Sequence, residues 1–307
     1  MSGPATRALR LGTRKSLLAT TQSGLVADLL TERTGAAVEL TGVTTFGDVT
    51  KAHLAQLGGT GVFVSALRDK LLDGEVDFAV HSLKDLPTAP AEGIALAAVV
   101  ARHDPRDVLV AGAKLADLPT GARVGTGSPR RVAQLRAIRP DLEYVPIRGN
   151  ADTRIGKVQS GELAGVVLAA AGLQRIGREE VVAQIFDIDE MLPAPGQGAL
   201  AVECRADRAD LLDLLAALDD PPTRAAVAAE RSVLAALEAG CAAPVGAYAV
   251  TSGNTVDLTA AVISADGRRS VRKSASGPMS EAMGLGRDLA AAMISDGADT
   301  LMGEQTH

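Results

Sequence analysis

The sequence predicts an α/β protein with a smaller α+β unit at its carboxyl end, and three observations predict it. Strands of the buried type alternate with helical spacing through the first hundred residues. The alternation restarts after the polar stretch ARHDPRD (Ala101–Asp107), and beyond DDPPT (Asp219–Thr223) three strand-like segments lie between two helices. Such alternation favours a largely parallel sheet, because each helix carries the chain back to the edge where the next strand starts. At 307 residues the chain is roughly two to three times a domain of about 100–150 residues, so more than one core is expected.

Taken in order, Arg7–Leu11 reads as a short strand, and the helical spacing from Ser16 stops at Gly35. VELTGVTT from Val38 is a second strand. GTGVFVSALRDKLLDG is a glycine loop running into a helix that ends at Gly74, and VDFAVHS from Val76 is another buried strand. In the second half, ARVGTGS is strand then turn, and SPRRVAQLRAIRP is a helix closed by Pro140. EYVPIRGN is a strand with its loop, and GVVLAAAGL from Gly165 is a buried strand. LPAPGQGAL from Leu192 is a crossing between domains, LAVECR from Leu200 resumes a strand, and DDPPT is a second linker. A helix to Leu237, the loop LEAGCAAPVG, the strands GAYAVTS, TVDLTAAVI and RRSVRKSAS, and a helix to about Asp296 complete the chain. The expected division is 1–103 with 198–218, then 104–197, then 219–307.

Composition narrows the function classes. The formal charge is −6, aromatics make up 2%, and there is no Trp, which opposes a basic, base-stacking nucleic-acid surface. Cys204 and Cys241 form no CxxC pair and no zinc spacing with the histidines, so no metal is expected. The longest apolar run, GVVLAAAG, is far short of the roughly 20 residues needed to span a bilayer. MSGPATRALRLGTRKS lacks the apolar centre of a signal peptide, and a cytoplasmic protein with reduced thiols is expected.

Two turns echo one another: LGTRKS (Leu11–Ser16) and VGTGSPRR (Val124–Arg131) each run strand, Gly-Thr, Ser, helix. Ser128 suits the N-cap and Pro129 the first helical position, so exposed N–H groups there favour an anion, with Arg130 and Arg131 as forked donors. The surroundings of that turn are locally basic, with Arg123, Arg136, Arg139, Arg148, Arg154 and Lys157 against three acids. RGNADTR (Arg148–Arg154) reads as an ordinary Gly-Asn turn. HSLKDLP (His81–Pro87) ends a strand in a Lys-Asp pair, where Asp85, aided by Lys84, can stabilise a developing cation. GGTGVF lacks the ending of a phosphate-binding P-loop. Cys204, in AVEC, fits a small buried hydrophobe. Cys241, in a glycine-flanked loop, fits that less well.

These motifs together resemble the porphobilinogen deaminase (hydroxymethylbilane synthase) family. The likeness runs from RLGTRKSLLA through GDV, GGTGVFV, DFAVHSLKDLP, DPRD, VGTGSPRR, IRGNADTR, LAAAGLQRIG, LPAPGQGAL and ECR to LEAGCAAPVG. It implies two domains built like periplasmic binding proteins, a small third domain, and a monomer. It also implies a transferase that joins four porphobilinogens head to tail, with loss of ammonia, on a dipyrromethane cofactor held by a thioether at Cys241; hydrolysis then frees linear hydroxymethylbilane. By the same resemblance Asp85 is catalytic and meets the cofactor, and Lys84, Ser128, Arg130 and Arg131 bind it. Arg14, Ser16, Arg148, Arg154, Arg175, Phe63 and Gln197 meet the substrate. Many relatives carry basic or polar residues where this chain has Phe46, Gln56 and Thr60, so the loop from Gly47 to Gly61 is expected to act as a flexible lid, without supplying cations. The competing readings are a non-catalytic two-domain anion-binding protein, which does not account for the third domain and its loop cysteine, a nucleic-acid binder, and a cysteine hydrolase.

Overall fold

The structure, a computed structural model, describes residues 7–43, 61–239 and 243–303. The chain forms β1 (Leu9–Thr13), α1 (Leu17–Thr34), β2 (Val38–Gly42), α2 (Gly61–Leu72), β3 (Phe78–Ser82), β4 (Ile94–Val100) and β5 (Asp107–Ala111). It continues through β6 (Arg123–Gly125), α3 (Pro129–Ile138), β7 (Glu143–Val145), α4 (Ala151–Gln159), β8 (Gly165–Ala169), α5 (Ala170–Arg175) and β9 (Val182–Ile185). Then follow β10 (Leu200–Arg205), α6 (Ala209–Leu215), α7 (Pro221–Ala236), β11 (Val245–Ser252), β12 (Thr255–Ile263), β13 (Ser270–Pro278), α8 (Ala282–Ser295) and α9 (Ala298–Gly303).

Two compact units result: Met1–Ala101 with Ala199–Pro221, and Arg102–Gly198 with Pro222–His307. The first holds a five-stranded sheet in the order β2-β1-β3-β10-β4, in which β1 runs parallel to β2 and β3 while β10 is antiparallel to β3 and β4. Both faces are covered, which is why β3 opens on the unbroken apolar run Phe78–Val80. Phe78 and Val80 join Leu11, Val26, Leu30, Val202 and Leu211 on one face, and Ala79 joins Leu67, Leu71 and Val76 on the other. α1 starts at the N-cap Ser16, whose hydroxyl accepts from Ala19 N, and stops at Gly35.

The second unit repeats that order as β7-β6-β8-β5-β9, with β6 parallel to β7 and β8 and β5 antiparallel to β8 and β9. Each sheet thus takes its one antiparallel strand, β10 or β5, from a chain segment that has just left the other. β5 divides its apolar residues between two cores, Val108 and Val110 with Ile147, Ile155 and Val166, and Leu109 with Val124, Leu135 and Phe186. The same unit contains the carboxyl-terminal α+β domain, an antiparallel meander β11-β12-β13 packed on α7 and α8. Its β12–β13 hairpin lies against α3: Gly267 (φ 76°) leaves 2.6 Å between an ideal Cβ and Ala137 N, so no larger residue fits.

Four expectations are corrected. The first strand is Leu9–Thr13, two residues later than Arg7–Leu11. GVVLAAAGL is a strand only to Ala169; the chain turns there into α5, where alanines suit a helix as well as they suit a buried strand. RGNADTR does not end in an ordinary turn, because Asn150 caps α4 by accepting from Thr153 N at 2.8 Å. The linker DDPPT is short, since both prolines sit in the first turn of α7, where a missing N–H costs nothing. Strands β4, β5 and β9 and the helices α6 and α9 go beyond the sequence reading. Among the described residues no helix is long and apolar enough to cross a membrane.

Candidate functional site

In the first unit the parallel strands β1 and β3 end at one edge of the sheet. There Thr13, 3% exposed, leads into half-buried Arg14 and the cap Ser16, while β3 leads into a 3-10 turn over Leu83–Asp85. Leu83 N donates to Ala199 O at 3.0 Å and anchors that turn to the start of β10. Gln22 of α1 donates to Ser82 Oγ at 3.1 Å, which ties the helix capped by Ser16 to the end of β3. Lys84 and Asp85 are both half-buried. On the α2 side of the sheet Glu203 receives Arg68 through two hydrogen bonds (3.0 and 2.7 Å), with His81 Nε2 3.3 Å away. Burial pushes the Glu203 carboxyl up, but nearby His81 and the two bonds from Arg68 outweigh that and hold it at about 2. Phe63 lies in the first turn of α2, while Phe46, Gln56, Thr60 and the loop before α2 lie outside the described residues.

The corresponding edge of the second unit is cationic. β6 ends in Gly125 and buried Thr126, and Ser128 caps α3 with its hydroxyl facing Arg131 N at 3.5 Å. β5 runs antiparallel, so its first residue, Asp107, pairs with the last residue of β8, Ala169, at this same edge. Asp107 is fully buried and lies between the two arginines. Its Oδ1 accepts from Arg131 Nε at 3.0 Å and Nη2 at 2.7 Å, and its Oδ2 is 2.8 Å from Arg130 Nη1. Arg131 also donates to Val167 O and Arg130 to Leu192 O. Burial favours protonation of Asp107, but the two guanidiniums overcome it and keep the carboxyl well below the usual range. Arg130 is lowered by its own burial, against the pull of Asp107, and its Nε has no hydrogen-bond partner. Two guanidiniums against one carboxylate leave one positive charge in excess.

Around this cluster, exposed Arg148 precedes the cap of α4, and half-buried Arg154 on α4 donates to Gly149 O at 2.9 Å. Arg175, at the end of α5, donates to Gly198 O at 2.6 Å, and desolvation lowers it to about 10. Gln197 is 1% exposed, and its Nε2 donates to Pro105 O at 2.7 Å and Asp107 Oδ1 at 2.9 Å. Cys241 lies outside the described residues. Cys204 is a core residue whose thiol burial pushes up to about 11, which makes it a poor nucleophile.

Three polar residues of this region go unnamed in the sequence reading: Asp107, Arg102 and Glu230. Two of them carry a signal. Asp107 stands directly before the apolar run VLV, and Glu230 lies four residues after Ala226 and three before Val233, on the buried face of α7.

The fold is a pair of α/β domains with an appended α+β domain, and the second of the two sheet edges is cationic. The dipyromethane cofactor binding domain of porphobilinogen deaminase matches residues 9–213, and the C-terminal domain of porphobilinogen deaminase matches 224–295. The chain is 63% identical over 311 residues to the porphobilinogen deaminase of Thermobifida fusca, covering 98% of this chain and 97% of that one. It is 60% identical over 314 residues to porphobilinogen deaminase 1 of Streptomyces coelicolor, covering 97% and 98%. The chain therefore belongs to the porphobilinogen deaminase family. Among solved structures, a periplasmic VFT2 domain of Bordetella pertussis BvgS aligns at 17% identity and a TM-score of 0.43, covering 69% of this chain and 86% of that one.

Proposed function

We propose that this protein condenses four porphobilinogens head to tail with loss of ammonia and releases linear hydroxymethylbilane by hydrolysis. Its family supports this reading, and the observation that carries it into the structure is the buried Arg130–Asp107–Arg131 cluster. One positive charge is left over in a site that excludes water, at the capped start of a helix, and Arg130 Nε has no protein partner. A buried charge of that kind is stable when an anion completes it. Pyrrole acetate and propionate groups are such anions, so the donor set fits the dipyrromethane cofactor.

Arg130, Arg131, Ser128 and Lys84 would hold that cofactor, with Cys241 as its thioether anchor. When bound, the cofactor supplies the nucleophilic pyrrole carbon to which the first unit is joined. Arg14, Ser16, Arg148, Arg154 and Arg175 bind carboxylates of substrate and growing chain, and Phe63 contributes an apolar contact. Asp85 is acceptor-only when ionised. It accepts hydrogen bonds from pyrrole N–H groups and stabilises positive charge on the substrate as ammonia departs, which lowers the barrier to that step. We further propose that the protein works as a cytoplasmic monomer; sedimentation as a single chain checks the second part.

The test is the intact mass of the purified protein beside a Cys241→Ser variant. The reading expects an excess of two linked pyrroles in the parent, absent from the variant, together with turnover of porphobilinogen by the parent alone. A parent that gains no mass on incubation with porphobilinogen and does not consume it would overturn the reading and leave a non-catalytic anion-binding protein.

A further inference from the structure

We propose that Gln197 is a positioning residue that joins two buried ion clusters, one around Arg130 and Arg131 and one on the carboxyl-terminal α+β domain. The second cluster is centred on Glu230 of α7, which is 0% exposed. Its carboxylate meets Arg102 Nη1 at 2.5 Å and Nη2 at 3.1 Å, and it accepts from Gly196 N at 2.7 Å and from Ala249 N of β11 at 2.8 Å. Arg102 also lies 5.1 Å over the ring of Tyr248. Every strong acceptor site of Glu230 is filled, so α7, β11 and the segments 102–107 and 192–198 are fixed to one another at this point.

Arg102 also donates through its Nε to Gln197 O at 2.8 Å. The side chain of the same glutamine reaches the other way, to Pro105 O and Asp107 Oδ1. One residue thus links Glu230–Arg102 through its backbone and Asp107–Arg131 through its amide. A neutral amide does this without changing the charge of either cluster, +1 on the arginine side and zero on the glutamate side. Asp107 Oδ1 is the atom that holds both Nε and Nη2 of Arg131, so rotation of that carboxylate would turn the planar guanidinium with it. Gln197 prevents the rotation. It therefore aims Arg131 with respect to α7, the helix that leads into the segment containing Cys241.

This inference rests on the proposed function, and the experiment separates the two. Gln197→Met keeps the length of the side chain and removes its donors. Measured on holoenzyme, the variant is expected to keep its covalent primer and a KM within about twofold of the parent. Its kcat should fall about ten- to a hundredfold, with enzyme-bound intermediates stalled at one chain length by intact mass. A merely structural role lowers the melting temperature but leaves kcat per mole of holoenzyme at the parental value, and that result overturns the proposal. If Gln197→Met does not fold, Gln197→Asn, whose amide is too short to span both acceptors, is measured in the same way and judged by the same two results. A parent that neither carries primer nor turns over porphobilinogen refutes the function itself, whatever the variants do.

Discussion

The two five-stranded sheets share an order and a turn, yet their carboxyl edges carry different buried charges. In each, a strand ends in Gly-Thr and a serine caps the next helix: Thr13 and Ser16 in the first, Thr126 and Ser128 in the second. In each, the first residue of the antiparallel strand pairs with the last residue of the third parallel strand. That pair is Leu200 with Ser82 in the first unit and Asp107 with Ala169 in the second. A leucine at this position needs no partner. An aspartate there recruits two arginines into the interior and builds a permanent cationic site. The first edge instead presents Asp85, half-buried, from a turn whose Leu83 N donates to Ala199 O. One position in the antiparallel strand therefore distinguishes an edge with two buried arginines from one that presents Asp85.

The largest effect is expected from erasing that difference. Asp107→Leu makes the second edge like the first and strands two buried guanidiniums, which should cost about 3–5 kcal/mol in denaturant unfolding and abolish primer retention by intact mass. Asp85→Asn removes the carboxylate charge of Asp85 from the first edge, and it should lower kcat about 10²–10³-fold with an unchanged melting temperature; parental turnover would refute its role.

A pH test addresses the first unit. The Glu203 carboxyl is lower folded, about 2, than its usual 4.5, so its stabilisation is complete above 4.5 and is lost as pH falls toward 2. Glu203→Gln should therefore destabilise the protein at neutral pH by roughly 3 kcal/mol and flatten the acid limb between those values. The smallest expected effect is that of Gly267→Ala, where a methyl group would meet the backbone of α3. A loss of about 1–3 kcal/mol, without change in KM, would show that hairpin packing serves stability alone.

Much of the edge design is legible in the sequence because it is local. Ser16, Gly35, Ser128 and Pro129 mark helix ends by their own chemistry, and the structure uses each of them so. Asp107 is different. Within ARHDPRD it is one acid among several charges, and only the antiparallel pairing of β5 with β8 carries it to Arg131, 24 residues away. Gln197 is similar: a Pro- and Gly-rich segment suggests a crossing, but not that its glutamine faces inward. The run IALAAVV fits helix or strand until β10 arrives beside it, which is why β4 is invisible locally.

The exchange of antiparallel strands also sets an order of assembly during synthesis. β10 lies between β3 and β4, so the amino-terminal sheet has a gap in its middle until Leu200–Arg205 has left the ribosome. At about 5–20 residues per second, β3 and β4 wait roughly 5–20 s with unpaired edges while the second sheet is being made. The second sheet has no such delay, because β5 precedes all of its other strands. The nascent chain thus completes the sheet beside Arg130 and Arg131 first, and the sheet that leads into Asp85 closes only when β10 arrives. A fragment ending at Ala101 would expose the edges of β3 and β4 and would be a target for chaperones or aggregation.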